Sequence, residues 1–285
     1  MIKKLYKDFN KKAVTFSFDD GASEDTRLLF LFNKYGFKAT FNISSLKCNN
    51  PSFTITDGNS SYWENSDEVR QFFSNHEIAT HSLTHFKPSD ADEETCDREI
   101  REDIKNLEEI TGYKIRGCAA PFGDCPDKFL NVLKKYGIAY NRTVSSTFDF
   151  SLPEDFLKWS PTAHFSFCAD SQKKHLTNDF LNTDKELALF YIWGHSFEMS
   201  RLACNRERWC DEKHRWQVVE NEIFKKLSGI DGIWYATNIE ICDYISALRK
   251  SEITDNRIKN TTETELFFEI DGKNVSVKPD SEVKF

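Results

Sequence analysis

The sequence holds 285 residues, 39% of them hydrophobic and 29% charged, with a formal net charge of −8. That length fits one large domain, or one domain with a small appendage, and the apolar content suffices for a core. The acidic balance argues against nucleic acid as a partner, and no apolar run approaches the ~20 residues of a membrane span.

Met1 to Tyr6 carries lysines but no apolar run long enough for a signal peptide, so a cytoplasmic location is expected. Ala13 to Gly21 opens the patterned part of the chain. Val14, Phe16 and Phe18 alternate with smaller residues, which predicts a buried strand ending on Asp19, Asp20 and the turn residue Gly21. Two adjacent carboxylates repel unless a cation or proton lies between them. The same tripeptide also suits an Asx-type turn that caps the next helix.

That helix is predicted over Ser23 to Tyr35, with Ser23 or Asp25 as cap and Gly36 as stop. A second strand follows at Lys38 to Ile43, and strand–helix–strand in some thirty residues is the rhythm of a parallel sheet. Residues 48–62 read as an exposed loop, Asp67 to Ser74 as a short helix and His76 to Thr80 as a strand. Glu93 to Thr111 is an amphipathic helix, with Ile100, Ile104, Leu107 and Ile110 at helical spacing. Cys118 to Gly123 predicts a strand running into a turn, Asp127 to Tyr136 a helix, and Gly137 to Tyr140 a strand.

Residues 141–182 are irregular and aromatic-rich, as functional loops are. Leu187 to Trp193 is a continuous apolar run, typical of a strand buried on both faces. Arg215 to Leu227 reads as helix, Ile233 to Ala236 as strand and Asn238 to Leu248 as the last helix. Leu266 to Ile270, Gly272 and Val275 to Val277 predict a β-hairpin, in a segment 251–285 set apart from a main unit 1–250. The eight cysteines (48, 96, 118, 125, 168, 204, 210 and 242) form no Cys-x-x-Cys pair, so free thiols are expected. A Cys204–Cys210 bridge is the minority alternative.

His81 and His85 stand at i and i+4, a spacing that on one helical turn puts both imidazoles on one face. The strand leading into them would end beside the strand that ends on Asp20, and active sites collect at such carboxyl ends. Asp20, His81 and His85 together make one carboxylate and two imidazoles, the donor set of an open catalytic metal site. Asp19 would then stand beside a metal-held water as a base.

With these residues in view, the sequence resembles the polysaccharide deacetylases of carbohydrate esterase family 4, the NodB-homology domain. Thr15 to Gly21 resembles the first motif of that family, His81-Ser82-x-x-His85 the second, Ala120 to Gly123 the third and Trp193 to Ser196 the last. The resemblance spans about residues 11–248. It implies an α/β fold, a deformed (β/α)7-type barrel, here with a short C-terminal β-hairpin extension, and a groove for a carbohydrate substrate. It also implies a divalent metal, usually zinc, on Asp20, His81 and His85, with Asp19 as general base and His195 as general acid. The backbone amide of Phe122 would stabilise the oxyanion.

The sequence departs from the family in two places. No arginine stands shortly before Pro121; Arg116 is too early, and Arg142 is the expected substitute. The aspartate that tunes the acid histidine has no clean match, leaving Asp149, Asp155 and Glu198 as candidates. Trp193 could form an acetyl pocket or simply pack in the core. His164 could line the site or be an ordinary hydrogen-bonded histidine, and His175 and His214 are expected to face solvent. Trp63, Trp209 and Trp216 could stack on sugar rings, although packing is the simpler role for each. The expected activity is removal of N-acetyl groups from an aminosugar. The alternatives are hydrolysis of another C–N bond, as in a cyclic imide or ureide, and a carbohydrate-binding relative without catalysis.

Overall fold

The computed structural model describes residues 1–22, 24–46, 70–169, 175–200 and 214–285. Its strands are β1 (Ile2–Leu5), β2 (Lys12–Asp19), β3 (Thr40–Ile43), β4 (Glu77–Thr80), β5 (Gly117–Ala119), β6 (Tyr140–Arg142), β7 (Ala163–His164), β8 (Ala188–Gly194) and β9 (Ile233–Tyr235), then β10 to β14 in the C-terminal segment. β2 is the hub. It pairs in parallel with β8 along Lys12 to Phe18, and β3 and β9 share its other edge, β3 at Ser17 to Asp19 and β9 at Lys12 to Val14. The complete order is β6-β5-β4-β3-β2-β8-β7, with β9 alongside β2. A single parallel bridge from Arg142 to Trp159 links β6 to the segment that enters β7. The sheet curls into the deformed (β/α)7 type of barrel. Every residue of β3, β4 and β8 is buried, as expected of parallel strands covered on both faces.

Helices fill the crossovers. Asp25–Tyr35 ends at Gly36, whose φ of 71° needs no Cβ. Its N-cap is Glu24, without a side-chain capping bond, and not the expected Asp25, which is the first helical residue; Ser23, the other expected cap, lies outside the described residues. Glu93–Thr111 starts as predicted, with the Asp92 side chain accepting from Thr95 N–H. Asn238–Lys250 opens with a capping box between Thr237 and Glu240. The predicted loop 48–62 and the start of the Asp67 helix lie outside the described residues.

Two expectations need correction. The strand predicted at Gly137 to Tyr140 begins only at Tyr140, because Gly137 (φ 72°) and Ile138 still close the preceding helix through a bond from Ile138 N–H to Leu133 O. The stretch 141–182 is more ordered than its sequence suggests: it contains β7 and the helices Phe165–Ala169 and Leu176–Asn182. A strand of two residues carries no readable alternation.

The C-terminal strands are β10 (Glu252–Thr254), β11 (Arg257–Asn260), β12 (Leu266–Ile270), β13 (Lys273–Val277) and β14 (Ser281–Lys284). β12 and β13 form the expected antiparallel hairpin, turning at Asp271 and Gly272, both with positive φ. β1 pairs with β12, so the two ends of the barrel chain share one sheet. Leu5, Tyr244, Leu248, Phe267 and Phe268 pack in one cluster that joins this sheet to the last helix. No described helix is long and apolar enough to cross a membrane. Cys96, Cys118, Cys125, Cys168 and Cys242 are free thiols, whereas Cys48, Cys204 and Cys210 lie outside the described residues.

Candidate active site

The carboxyl ends of β2, β4, β5, β6 and β8 bring together the residues singled out in the sequence. β2 delivers Asp19 and leads into Asp20, whose φ of 79° is left-handed. Aspartate tolerates that region better than most residues. His81 follows β4, but Ser82 (φ 63°) and His85 (φ 59°) break any helix, so the two imidazoles meet on a tight loop and not on the helical turn expected from their spacing. Phe122 (φ 60°) is strained in the same sense. Backbone strain of this kind persists only where surrounding structure enforces it, and it gathers at functional sites.

That enforcement comes largely from the helix Glu93–Thr111. Glu99 Oε2 accepts from the backbone N–H and the hydroxyl of Thr84, each at 2.9 Å. Asp103 is fully buried, accepting from the Thr80 hydroxyl and, at 2.7 Å, from Ser45 N–H.

Asp20, His81 and His85 offer donor atoms that converge. His81 Nε2 is 3.7 Å and His85 Nε2 3.5 Å from Asp20 Oδ1. Bonds of ~2.1 Å at a tetrahedral angle separate two donors by ~3.4 Å, so this set fits one transition metal. The tautomer also fits. His81 Nδ1 lies 2.8 Å from Ala119 O, which can only accept, so the proton sits on Nδ1 and the lone pair of Nε2 faces Asp20. Burial, with help from His85, holds the pKa of His81 down to about 4 against the pull of Asp19, so the ring is neutral at pH 7, as a ligand must be.

Asp19 is buried beside this set. Its Oδ1 accepts from Arg142 Nη2 and, at 2.8 Å, from Asn42 Nδ2, the residue opposite it in the β2–β3 register. Oδ2 faces His195 Nε2 at 3.9 Å. Burial pushes its carboxyl up, but Arg142, His81 and His195 outweigh that and hold it below the usual carboxylate value. The Arg142 guanidinium also stacks over Trp193, 4.7 Å from the ring centre. Arg116 lies elsewhere, in a bidentate pair with Asp243.

His195 follows β8 and is held by Glu198, whose Oε1 lies 3.0 Å from Nδ1. Burial alone would lower its pKa; Glu198, Asp20 and Asp19 instead hold it up to about 9. Of the three candidate tuning carboxylates only Glu198 is here. Asp149 pairs with Lys185 and Ser151, and Asp155 caps the turn Phe156–Lys158. Phe122 is 60% exposed at the mouth, its ring edge-on to His85.

Among the remaining aromatic and histidine candidates, Trp193 is buried, and Trp216 packs under Arg27 with its N–H on Ser200. His175 and His214 are exposed, and Trp63 and Trp209 lie outside the described residues. Asn42 was not foreseen, and its only sequence signal is its place on the strand predicted next to β2. His164 lies within the Glu198 cluster.

Residues 6–141 match the family model described as polysaccharide deacetylase, a segment that carries Asp19, Asp20, His81, His85 and Phe122. No curated protein matches the chain in sequence. Among solved structures, a proposed polysaccharide deacetylase from Mycobacterium smegmatis is similar at 16% identity and TM-score 0.56, over 88% of this chain and 96% of that one. The Xyl-CE4 domain of a multidomain xylanase from the hindgut metagenome of Trinervitermes trinervoides is similar at 17% identity and TM-score 0.51, over 84% and 93%. At these identities the structural likeness speaks for the fold alone. The segment 6–141, a little under half of the chain, is thus similar to the polysaccharide deacetylase family.

Proposed function

We propose that the protein removes N-acetyl groups from an aminosugar-containing carbohydrate, using a divalent metal held by Asp20, His81 and His85. The observation that carries this reading is the convergence of those three donors next to a buried carboxylate, Asp19, and an imidazole, His195. The donor types suit zinc among several transition metals. When bound, the metal would polarise water and the amide carbonyl.

The side chains divide the remaining work. Arg142 and Asn42 engage Oδ1 of Asp19, which directs Oδ2 into the site as proton acceptor. His195 keeps Nδ1 on Glu198 and turns Nε2 inward, where it can protonate a departing amine. Phe122 offers its exposed ring to an apolar sugar face, and its backbone amide is the candidate oxyanion donor. The contact of Arg142 with Asp19 supports its reading as the substitute for the family's third-motif arginine.

Acetate release from N-acetylated amino-sugar oligomers tests the proposal, with cyclic imides run in parallel. Asp19→Asn should lower the rate by on the order of 10²-fold or more while retaining metal. Release that survives Asp19→Asn would remove the base from the reading, and turnover of imides alone would replace the substrate.

A further inference from the structure

The turn after β8 gathers a second group of donors: His164, His195 and Glu198 offer atoms that lie within 4.8 Å of one another. Glu198 stands between the two imidazoles. One carboxylate oxygen is 3.0 Å from His195 Nδ1, and the other is 2.8 Å from His164 Nε2, although out of line for a straight hydrogen bond. His164 and Glu198 are only 5% and 6% exposed.

The local structure builds this arrangement from three directions. Beyond Gly194 the chain enters a 3₁₀ turn, Ser196–Met199, with His195 at its N-cap. Side chains three apart eclipse in such a turn, which brings Glu198 under His195. Arg215 Nη1 fixes the same turn by donating to Glu198 O at 3.0 Å. The parallel register sets His164 beside Trp193, and Gly194 leaves the room: a Cβ there would lie 2.2 Å from Phe165 and 3.0 Å from His164 Nε2. Ser166 N–H donates to His164 Nδ1 at 3.3 Å. With Nδ1 accepting from this N–H, and the Ser166 hydroxyl 2.8 Å from the same nitrogen, the ring carries its proton on Nε2, the atom facing Glu198.

We infer that His164 is a positioning residue, which steadies Glu198 and through it the ring of His195. With His195 at one oxygen and His164 at the other, the carboxylate is held from both sides. Truncating His164 leaves a buried oxygen without that donor and lets Glu198 turn away from His195. The inference rests on the reading of His195 as the acid, and it concerns how that acid is held.

Two variants of the zinc-loaded protein test it on the N-acetylated oligomer. His164→Ala removes the donor, whereas His164→Gln keeps a nitrogen donor near the position of Nε2. His164→Ala should lose about 10-fold in kcat with KM unchanged, and His164→Gln should recover most of it, in keeping with the weight of outer-shell partners. Equal loss in both variants, or wild-type kcat in His164→Ala, overturns the inference. Histidine-labelled ¹H–¹⁵N spectra of wild-type protein read the tautomer directly and do not depend on a variant folding. They should place the His164 proton on Nε2; a proton on Nδ1 alone overturns the inference. Absence of acetate release by the wild type would refute the proposed function instead, leaving the tautomer to judge this arrangement.

Discussion

Asp19 and Arg142 form a buried ion pair in which each makes the other tolerable. Arg142 is fully buried and Asp19 nearly so, and the guanidinium lies between that carboxylate and the face of Trp193. A buried charge that loses its partner is strongly destabilising. Arg142→Met, which keeps much of the stem, should lower stability by about 3–5 kcal/mol in urea unfolding. A midpoint unchanged from wild type would show that Asp19 does not need this cation. At this scale the convergence of Asp20, His81 and His85 as candidate donors was legible, because adjacent carboxylates and paired imidazoles are unusual. Glu198 was not singled out from Asp149 and Asp155, since the three-residue spacing from His195 acquires meaning only in a 3₁₀ turn. Asn42 gave no signal beyond its place on the neighbouring strand, because its contact with Asp19 depends on a register between strands some twenty residues apart.

Elements differ in how they support the site. The helix Glu93–Thr111 was readable from its apolar stripe, but the tethers that Glu99 and Asp103 throw to the histidine loop were not, since they cross between elements. At the opposite end of β4, Glu77 accepts from the Thr40 hydroxyl at 2.7 Å, Tyr140 at 2.8 Å and Ile239 N–H at 2.9 Å. Burial raises its pKa from 4.5 to about 7, against those hydrogen bonds. A carboxyl raised in the folded state binds its proton more tightly there than in the unfolded chain. Its contribution is therefore fully present below the unfolded value and is lost as pH rises toward about 7. Thermal melts of wild type and Glu77→Gln across that window should show the difference between them changing with pH in this direction. A pH-independent difference would contradict the assignment.

At the scale of the molecule, the barrel and the C-terminal sheet share a core. Tyr244 donates to Leu5 O at 2.6 Å and accepts from Phe267 N–H at 3.2 Å, so the last helix, β1 and β12 meet at one hydroxyl. Phe268 is fully buried in that cluster. Phe268→Ala should cost about 3–5 kcal/mol, as loss of a core aromatic does, and barrel and sheet should unfold in one transition. Two separate transitions would mark the C-terminal strands as an independent unit. The hairpin was legible from its glycine turn, but not its pairing with β1, because nothing in a local pattern connects residues more than 260 positions apart.

The proposed reaction requires Asp20, His81 and His85 to act as one metal site, and elemental analysis of wild type beside His81→Ala tests that most directly. About one transition metal per chain is expected in the wild type and none in the variant. A wild type that takes up no metal when offered zinc at neutral pH, or a His81→Ala variant that keeps it, would contradict the account.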